Sequence, residues 1–413
     1  MKTFILLLLI VITFASVAVA QSTKDKIEIG VQTTSLTITH PQLPFDDTQG
    51  GIGGRFTFNF NRSIAAEAEV NFFPQKQAIL LADGSAIQAQ FGLKAGKRFE
   101  KFGIFGKLRP GFLNVNRVSN FIPPGSQGGP SSFTFERRTF FTLDAGGVLE
   151  LYPSGRMVVR FEAGDTIIRH PEQNNLFFPF SGSIPQPIRP AEFKHNFQFT
   201  AGVGFRLGDF PEEDTNLTTS SGGSERTKRF EVGVQFTSLF VNPSNVSGSL
   251  TLPRIHAEPG FGPRFTFNLT ESIALEAEGN YYTRLQRTFF LNSGHIFQAQ
   301  FGGKVGKRFD RWGLFGKARP GFVGFTQVTQ LAGGAQVPAI IPTERKLYPS
   351  LDVGGVVEFY ISRRWMARFD VGDTMIRYGE VSIPSFGALQ VFVLQPKQTR
   401  HNLQVTSGIG FRF

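Results

Sequence analysis

RFTFNFNRSIAAEAEVNFF, Arg55 to Phe73, alternates its side chains with a period of two on both sides of a short polar break. Phe56, Phe58 and Phe60 alternate with Arg55, Thr57 and Asn59. Beyond Asn61–Ser63, Ala66, Ala68, Val70 and Phe72 alternate with Glu67, Glu69 and Asn71. Successive side chains of an extended chain point to opposite faces, so each run predicts a strand with one apolar face and one charged face. Helical spacing fits neither run, and the stretch reads as a hairpin with a tight turn.

The same pattern extends in both directions. It predicts eight strands at about 26–36, 52–61, 64–75, 86–99, 102–118, 139–152, 157–169 and 195–207. Most exceed the ~5–6 residues of an ordinary soluble strand and approach the ~9–11 that a tilted strand needs to cross a bilayer. Short turns at 61–63, 100–101 and 153–156 alternate with long polar or Pro/Gly-rich loops at about 37–51, 76–85, 119–138 and 170–194. Short turns on one side and long loops on the other are the plan of a membrane-spanning up-and-down barrel.

The whole plan is written twice. RFTFN returns at Arg264–Asn268, SIAAEAEVN (from Ser63) as SIALEAEGN (from Ser272), and QAQFGLKAGKRF (from Gln88) as QAQFGGKVGKRF (from Gln298). FGIFGKLRPGF (from Phe102) returns as WGLFGKARPGF (from Trp312), and RFEAGDTIIR (from Arg160) as RFDVGDTMIR (from Arg368). The units run over 26–207 and 229–413. Between them, the Ser-, Thr- and Gly-rich stretch 208–228 lacks periodicity and reads as a flexible linker.

Composition narrows the class. The chain has 413 residues, 47 of them Phe and 46 Gly, and no Cys, which removes disulfides and every thiolate-ligated metal site. Residues 1–20, MKTFILLLLIVITFASVAVA, join one early Lys to an apolar stretch and small residues at Ala18 and Ala20, the pattern of a cleavable export signal. A net charge of +11 on an exported chain points to anionic lipid headgroups. Without basic runs interleaved with aromatics, nucleic acid is not an expected partner.

A strand face in contact with lipid should carry no charge, because Lys or Arg at the bilayer midplane costs ~2–4 kcal/mol. Parity places most of the strand charges on one face. In the first unit Arg55, Lys94, Arg98, Lys107, Arg109, Arg160 and Arg206 share one face with Glu67, Glu69, Asp144, Glu150 and Glu162. In the second, Arg264, Lys304, Arg308, Lys317, Arg319, Arg368 and Arg412 share it with Glu276, Glu278, Asp352, Glu358 and Asp370. Near-balanced charge on one face predicts a salt-bridged lumen. A soluble barrel would have the opposite sense, with Phe inside. Lys97, Lys307, Asp165 and Asp373 break the parity; a headgroup-level position would suit the lysines, and a bulge at Gly164 and Gly372 would re-aim the aspartates.

An export signal, eight amphipathic strands per unit and the ending TSGIGFRF together resemble bacterial outer-membrane β-barrel proteins of the OmpA and OmpX-like superfamily, over both units. The resemblance implies a location in the bacterial outer membrane among lipid and lipopolysaccharide. It also implies an assembly signal at Thr406, Gly408, Phe411 and Phe413 that the barrel-assembly machinery would recognise. Thr200, Gly202, Phe205 and Leu207 match it except at the last position.

Each unit holds a complete strand set and its own closing strand, so two tandem eight-stranded barrels are expected, with a single sixteen-stranded barrel as the alternative. An eight-stranded barrel is just wide enough to be filled by side chains, whereas sixteen strands leave an aqueous channel. The expected role is structural, with surface interaction through long loops whose ligand the sequence does not name; a porin-like channel for small hydrophilic solutes is the alternative, and a lipid-directed hydrolase a third reading. No cofactor or metal is expected. Among the histidines only His195 and His401 occupy matching positions, and no Ser is fixed beside them by spacing, so they read as rim residues that bond a loop or a lipid phosphate. GGIGG at Gly50–Gly54 superficially resembles a phosphate loop but has no helix after it, and reads as a mobile loop opening a strand. The acceptor-like NLT and NVS at Asn216, Asn268 and Asn245 read as chance.

Overall fold

In the computed structural model of the chain, residues 27–39, 46–74, 84–122, 132–174, 188–207, 228–242, 256–283, 292–334, 337–384, 391–395 and 397–413 are described. The export signal, nearly all of the linker, Asn216 and Asn245 lie outside them.

Eight strands build the first barrel: β1 (Ile27–Thr39), β2 (Asp46–Asn59), β3 (Ile64–Phe73), β4 (Ala86–Arg98), β5 (Phe102–Ile122), β6 (Ser132–Leu151), β7 (Met157–His170) and β8 (Phe197–Leu207). The second uses β9 (Phe230–Val241), β10 (His256–Asn268), β11 (Ile273–Tyr282), β12 (Asn292–Arg308), β13 (Trp312–Gly334), β14 (Val337–Tyr360), β15 (Trp365–Tyr378) and β16 (Leu403–Arg412). All neighbours are antiparallel and sequential. Closure comes from first against last: Ile27 sits opposite Leu207 and Thr34 opposite Thr200, while Glu231 sits opposite Arg412 and Thr237 opposite Thr406. The chain therefore forms two closed eight-stranded barrels, and no ladder joins their sheets into a sixteen-stranded one.

The expected strands agree with the observed ones to within a few residues except at the loop ends, where the ladders run further. β1 and β2 pair as far as Thr39 opposite Asp46, and β5 and β6 as far as Ile122 opposite Ser132, inside stretches expected to be loops. GGIGG is also not a mobile loop: Gly50–Gly54 lies within β2. Its glycines make room, since a Cβ on Gly53 would lie 2.0 Å from the Asn71 amide oxygen and one on Gly51 2.8 Å from the Phe73 ring.

Outward faces carry the apolar side chains. Val31, Phe91, Leu93, Ile104, Val234, Phe301 and Val305 are all more than half exposed. Part of each outward face is covered by the other barrel: Leu151 and Val159 cluster with Phe359 and Ala367, and the equivalent rings of Phe161 and Phe369 stack with centroids 6.0 Å apart. No described helix is long and apolar enough to cross a membrane.

Candidate functional site

Inward residues are layered along the barrel axis, and β3 shows the order: Ala65, Glu67, Glu69, Asn71 and Phe73 face the lumen in turn from short-turn end to loop end. The charged layer contains every strand charge that parity assigned to the wet face. All are buried except Arg98, Arg206, Arg308 and Arg412, which are partly exposed at the short-turn end. Arg109 sits at its centre, with Nη1 donating to Glu69 Oε2 at 2.7 Å and Nη2 to Asp144 Oδ2 at 2.7 Å and Glu162 Oε2 at 2.8 Å. Lys107 Nζ lies 2.7 Å from Glu162 and 2.8 Å from Asp144. Arg160 grips Glu67 with both terminal nitrogens, and Lys94 joins Glu150 to Glu67. Arg55 donates to Glu28 Oε1 at 2.8 Å.

The second barrel repeats the centre of the layer, but Arg264, the counterpart of Arg55, donates to Gln235 at 3.1 Å while Glu231 pairs with Arg308 and Arg412, each at 3.2 Å. Arg319 holds Glu278 at 2.5 Å and Asp352 at 2.6 Å, and Lys317 holds Asp352 at 2.9 Å. Arg368 binds Glu276 and Asp370. Asp370 replaces the longer Glu162, so Arg319 Nη2 lies 3.6 Å from it instead of the 2.8 Å seen in the first barrel. One missing methylene shortens the reach.

Below the charges, aromatic rings close the short-turn end. Lys94 Nζ sits 4.7 Å from the Phe105 ring centroid, and the Arg206 guanidinium 4.3 Å from that of Tyr152. The Tyr152 hydroxyl accepts from Arg98 Nε at 3.1 Å and donates to Glu150 Oε2 at 2.8 Å. Gly103 is required here, because a Cβ would lie 2.4 Å from the Tyr152 hydroxyl. Tyr360, which donates to Glu358 at 2.9 Å beneath Arg412, and Phe315 beneath Lys304 repeat the arrangement without, among the described residues, the arginine bond to the hydroxyl.

Above the charges lies a chain of amides that the sequence reading did not single out. Gln32 Nε2 donates to Asn71 Oδ1 at 3.0 Å, Asn71 Nδ2 to Gln88 Oε1 at 3.0 Å, and Gln88 Nε2 to Gln198 Oε1 at 3.0 Å. Gln235, Asn280, Gln298 and Gln404 reproduce it bond for bond. Above these, the inward face turns apolar: Leu36, Phe73, Leu113, Phe140 and Ile168 in the first barrel; Leu239, Tyr282, Phe325, Tyr348 and Tyr378 in the second. The premise that apolar residues face only outward thus fails near the loops. Glu28 and Glu231 were missed as well; both are buried in the lumen and bring each network to seven cations and six carboxylates. Their signal was in the sequence, since Glu28 alternates with Ile27, Ile29 and Val31.

At the loop end, the parity-breaking aspartates are not re-aimed by bulges. The β6–β7 and β14–β15 ladders run through Gly164 and Gly372 without a register shift. Asp165 faces outward, where its Oδ2 lies 2.5 Å from His195 Nδ1 and its Oδ1 accepts from the Asn196 amide at 2.9 Å. Asp373, His401 and Asn402 repeat this at 2.5 and 3.1 Å. The histidines therefore bond an aspartate of their own barrel. Asn196 and Asn402 lie buried beside them, each donating from Nδ2 to two backbone carbonyls.

Of the residues expected to form an assembly signal, Thr406, Gly408 and Phe411 lie on β16 and Phe413 follows its end. Thr406 donates inside the lumen to Thr237 at 3.0 Å, and Gly408 admits the neighbouring strand, since its Cβ would lie 2.4 Å from the Val234 carbonyl. Phe411 packs edge-on against Trp365, and Phe413 stacks on Phe230. Asn268 is buried at the inner end of β10, donating to Glu231 at 2.9 Å.

Neither a protein-family model nor a curated protein matches this sequence. Among solved structures, the chain is similar to the N-terminal β-barrel domain of Pseudomonas aeruginosa OprF (11% identity, TM-score 0.26), over 45% of this chain and 98% of that one. It is also similar to Ail, the attachment invasion locus protein of Yersinia pestis (15%, TM-score 0.29), over 45% of this chain and all of that one. A Pseudomonas aeruginosa FadL homologue matches 94% of this chain with 89% of its own (12%, TM-score 0.29). At such identities and scores, the architecture rests on the strand pairing given above.

Proposed function

We propose that the chain is an integral protein of a bacterial outer membrane, whose two filled barrels anchor outward-facing loops in a structural and surface-interaction role. The observation that carries this reading is the lumen: its aromatic, charged, amide and apolar layers occupy the interior of each barrel with side chains that bond one another. A buried ion network of this kind holds only if its members stay paired, which favours a rigid plug over an open path. The exposed apolar outer faces support immersion in lipid. The reading is non-enzymatic, with the His195 and His401 imidazoles bonded to Asp165 and Asp373 of their own barrels. Purified, refolded protein in planar bilayers tests the proposal. The expected record is flat, and large stable conductance steps at wild-type sequence would overturn the filled-lumen reading in favour of a pore.

A further inference from the structure

Lys97 and Lys307 stand on the outward face beside apolar side chains. Lys97 is paired across the ladder with exposed Ile104, and Lys307 with exposed Leu314. Neither lysine has an ion-pair partner among the described residues. Each instead lies against a stacked aromatic pair that brackets a tight turn. The Lys97 ammonium is 5.2 Å from the Phe99 ring centroid, and Phe99 stacks on Phe102 at 4.6 Å. The Lys307 ammonium is 5.4 Å from Phe309, which stacks on Trp312 at 4.2 Å. In both barrels the aromatic pair is pinned by a 2.7 Å backbone bond, Phe99 to Phe102 and Phe309 to Trp312.

The two clusters share their chemistry and their position at the short-turn end, although barrel sequences have drifted elsewhere. Aromatic rings with an apolar body settle at the headgroup level, and a lysine whose stem lies along such rings presents its ammonium outward into that layer. The surrounding turns are net basic: Arg62, Lys101 and Arg156 against Glu100 in the first barrel, and Arg311, Arg363 and Arg364 against Glu271 and Asp310 in the second. A cation without a protein partner, lifted on an aromatic platform inside a basic rim, is complementary to a net-negative phosphate headgroup.

On the membrane reading proposed above, we infer that Lys97 with Phe99 and Phe102, and Lys307 with Phe309 and Trp312, form two equivalent sites for anionic glycerophospholipid headgroups in the leaflet at the short-turn end. The lysine contacts the phosphate, and the rings pack along the glycerol and the first acyl carbons.

The second site contains one of the two tryptophans, which makes the test direct. Full-length mature protein carrying Trp365→Phe, refolded into phosphatidylcholine vesicles, reports on Trp312 alone. Brominated phosphatidylglycerol should quench Trp312 about three- to fivefold more effectively per mole than brominated phosphatidylcholine, the scale of one basic side chain near anionic lipid. Lys307→Gln should abolish that preference, Lys307→Arg should keep it, and excess inorganic phosphate should leave it in place. Equal quenching by both lipids, or a preference unchanged by Lys307→Gln, overturns the headgroup site while leaving the membrane reading intact. Absence of quenching by either lipid overturns both.

Discussion

Arg109 Nη2 and Glu162 Oε2 lie 2.8 Å apart in the middle of the first barrel, brought together from strands 53 residues apart in sequence. The same guanidinium holds Glu69 and Asp144, so removing it leaves three buried carboxylates short of a partner. Arg109→Leu should therefore lower the stability of the first barrel by about 3–5 kcal/mol, as breaking one side of a buried ion network does. Urea titration of the protein refolded in vesicles measures this; a change within 0.5 kcal/mol, roughly the range of an ordinary surface substitution, would show that the network contributes little.

Phe91 is two-thirds exposed on the outward face of β4, opposite Ala68. In lipid, Phe91→Arg should cost ~2–4 kcal/mol if the residue lies near the midplane. On a water-exposed face the same change would be close to neutral. Comparing folding yield and urea midpoint of the variant in vesicles separates the two environments, and a near-wild-type result would count against the membrane reading.

Gly103 and Gly147 make a matched pair of substitutions. A Cβ on Gly103 would meet the Tyr152 hydroxyl at 2.4 Å and the Phe105 ring at 2.6 Å, whereas one on Gly147 would meet nothing within 4 Å. Gly103→Ala should cost about 1–3 kcal/mol through overpacking of the aromatic floor. Gly147→Ala should be nearly silent. Equal effects from the two would mean that the floor repacks freely.

At its last position the closing strand has Leu207 in the first barrel where the second has Phe413. If the aromatic at this position serves in assembly, Phe413→Ala should slow insertion of the full-length chain in cells, and Leu207→Phe in that background should restore part of the rate. Pulse-chase appearance of the heat-modifiable folded form reads both. Insertion at the wild-type rate by Phe413→Ala would remove the signal role.

Much of this architecture was legible because alternation is a local property. Glu67 and Glu69 declare their face by their immediate neighbours, and the duplication supplied an independent second reading of each strand. What the sequence concealed depends on distance along the barrel axis. Leu36 and Phe73 have the same parity as Gln32 and Asn71, yet they fill the lumen near the loops, where apolar packing replaces charge. Nothing in a two-residue period records that change of depth. Asp165 was misread for a related reason. Its charge on the apolar parity suggested a bulge, but the strand runs regularly through it to His170; the closing strand begins opposite it at Phe197, and His195, thirty residues on, supplies the partner. The amide chain from Gln32 to Gln198 was hidden because its members come from four strands and become neighbours only when the barrel closes.

Closure of β1 on β8 has one more consequence. Ile27 and Leu207 are cross-strand neighbours, as are Glu231 and Arg412, so each barrel is a ring whose only covalent gap falls between its first and last strands. Where that gap lies is a property of the gene rather than of the ring. A circularly permuted version, with β8 tied to β1 by a short turn and new ends opened in another short turn such as 153–156, would carry the same ladders and the same lumen.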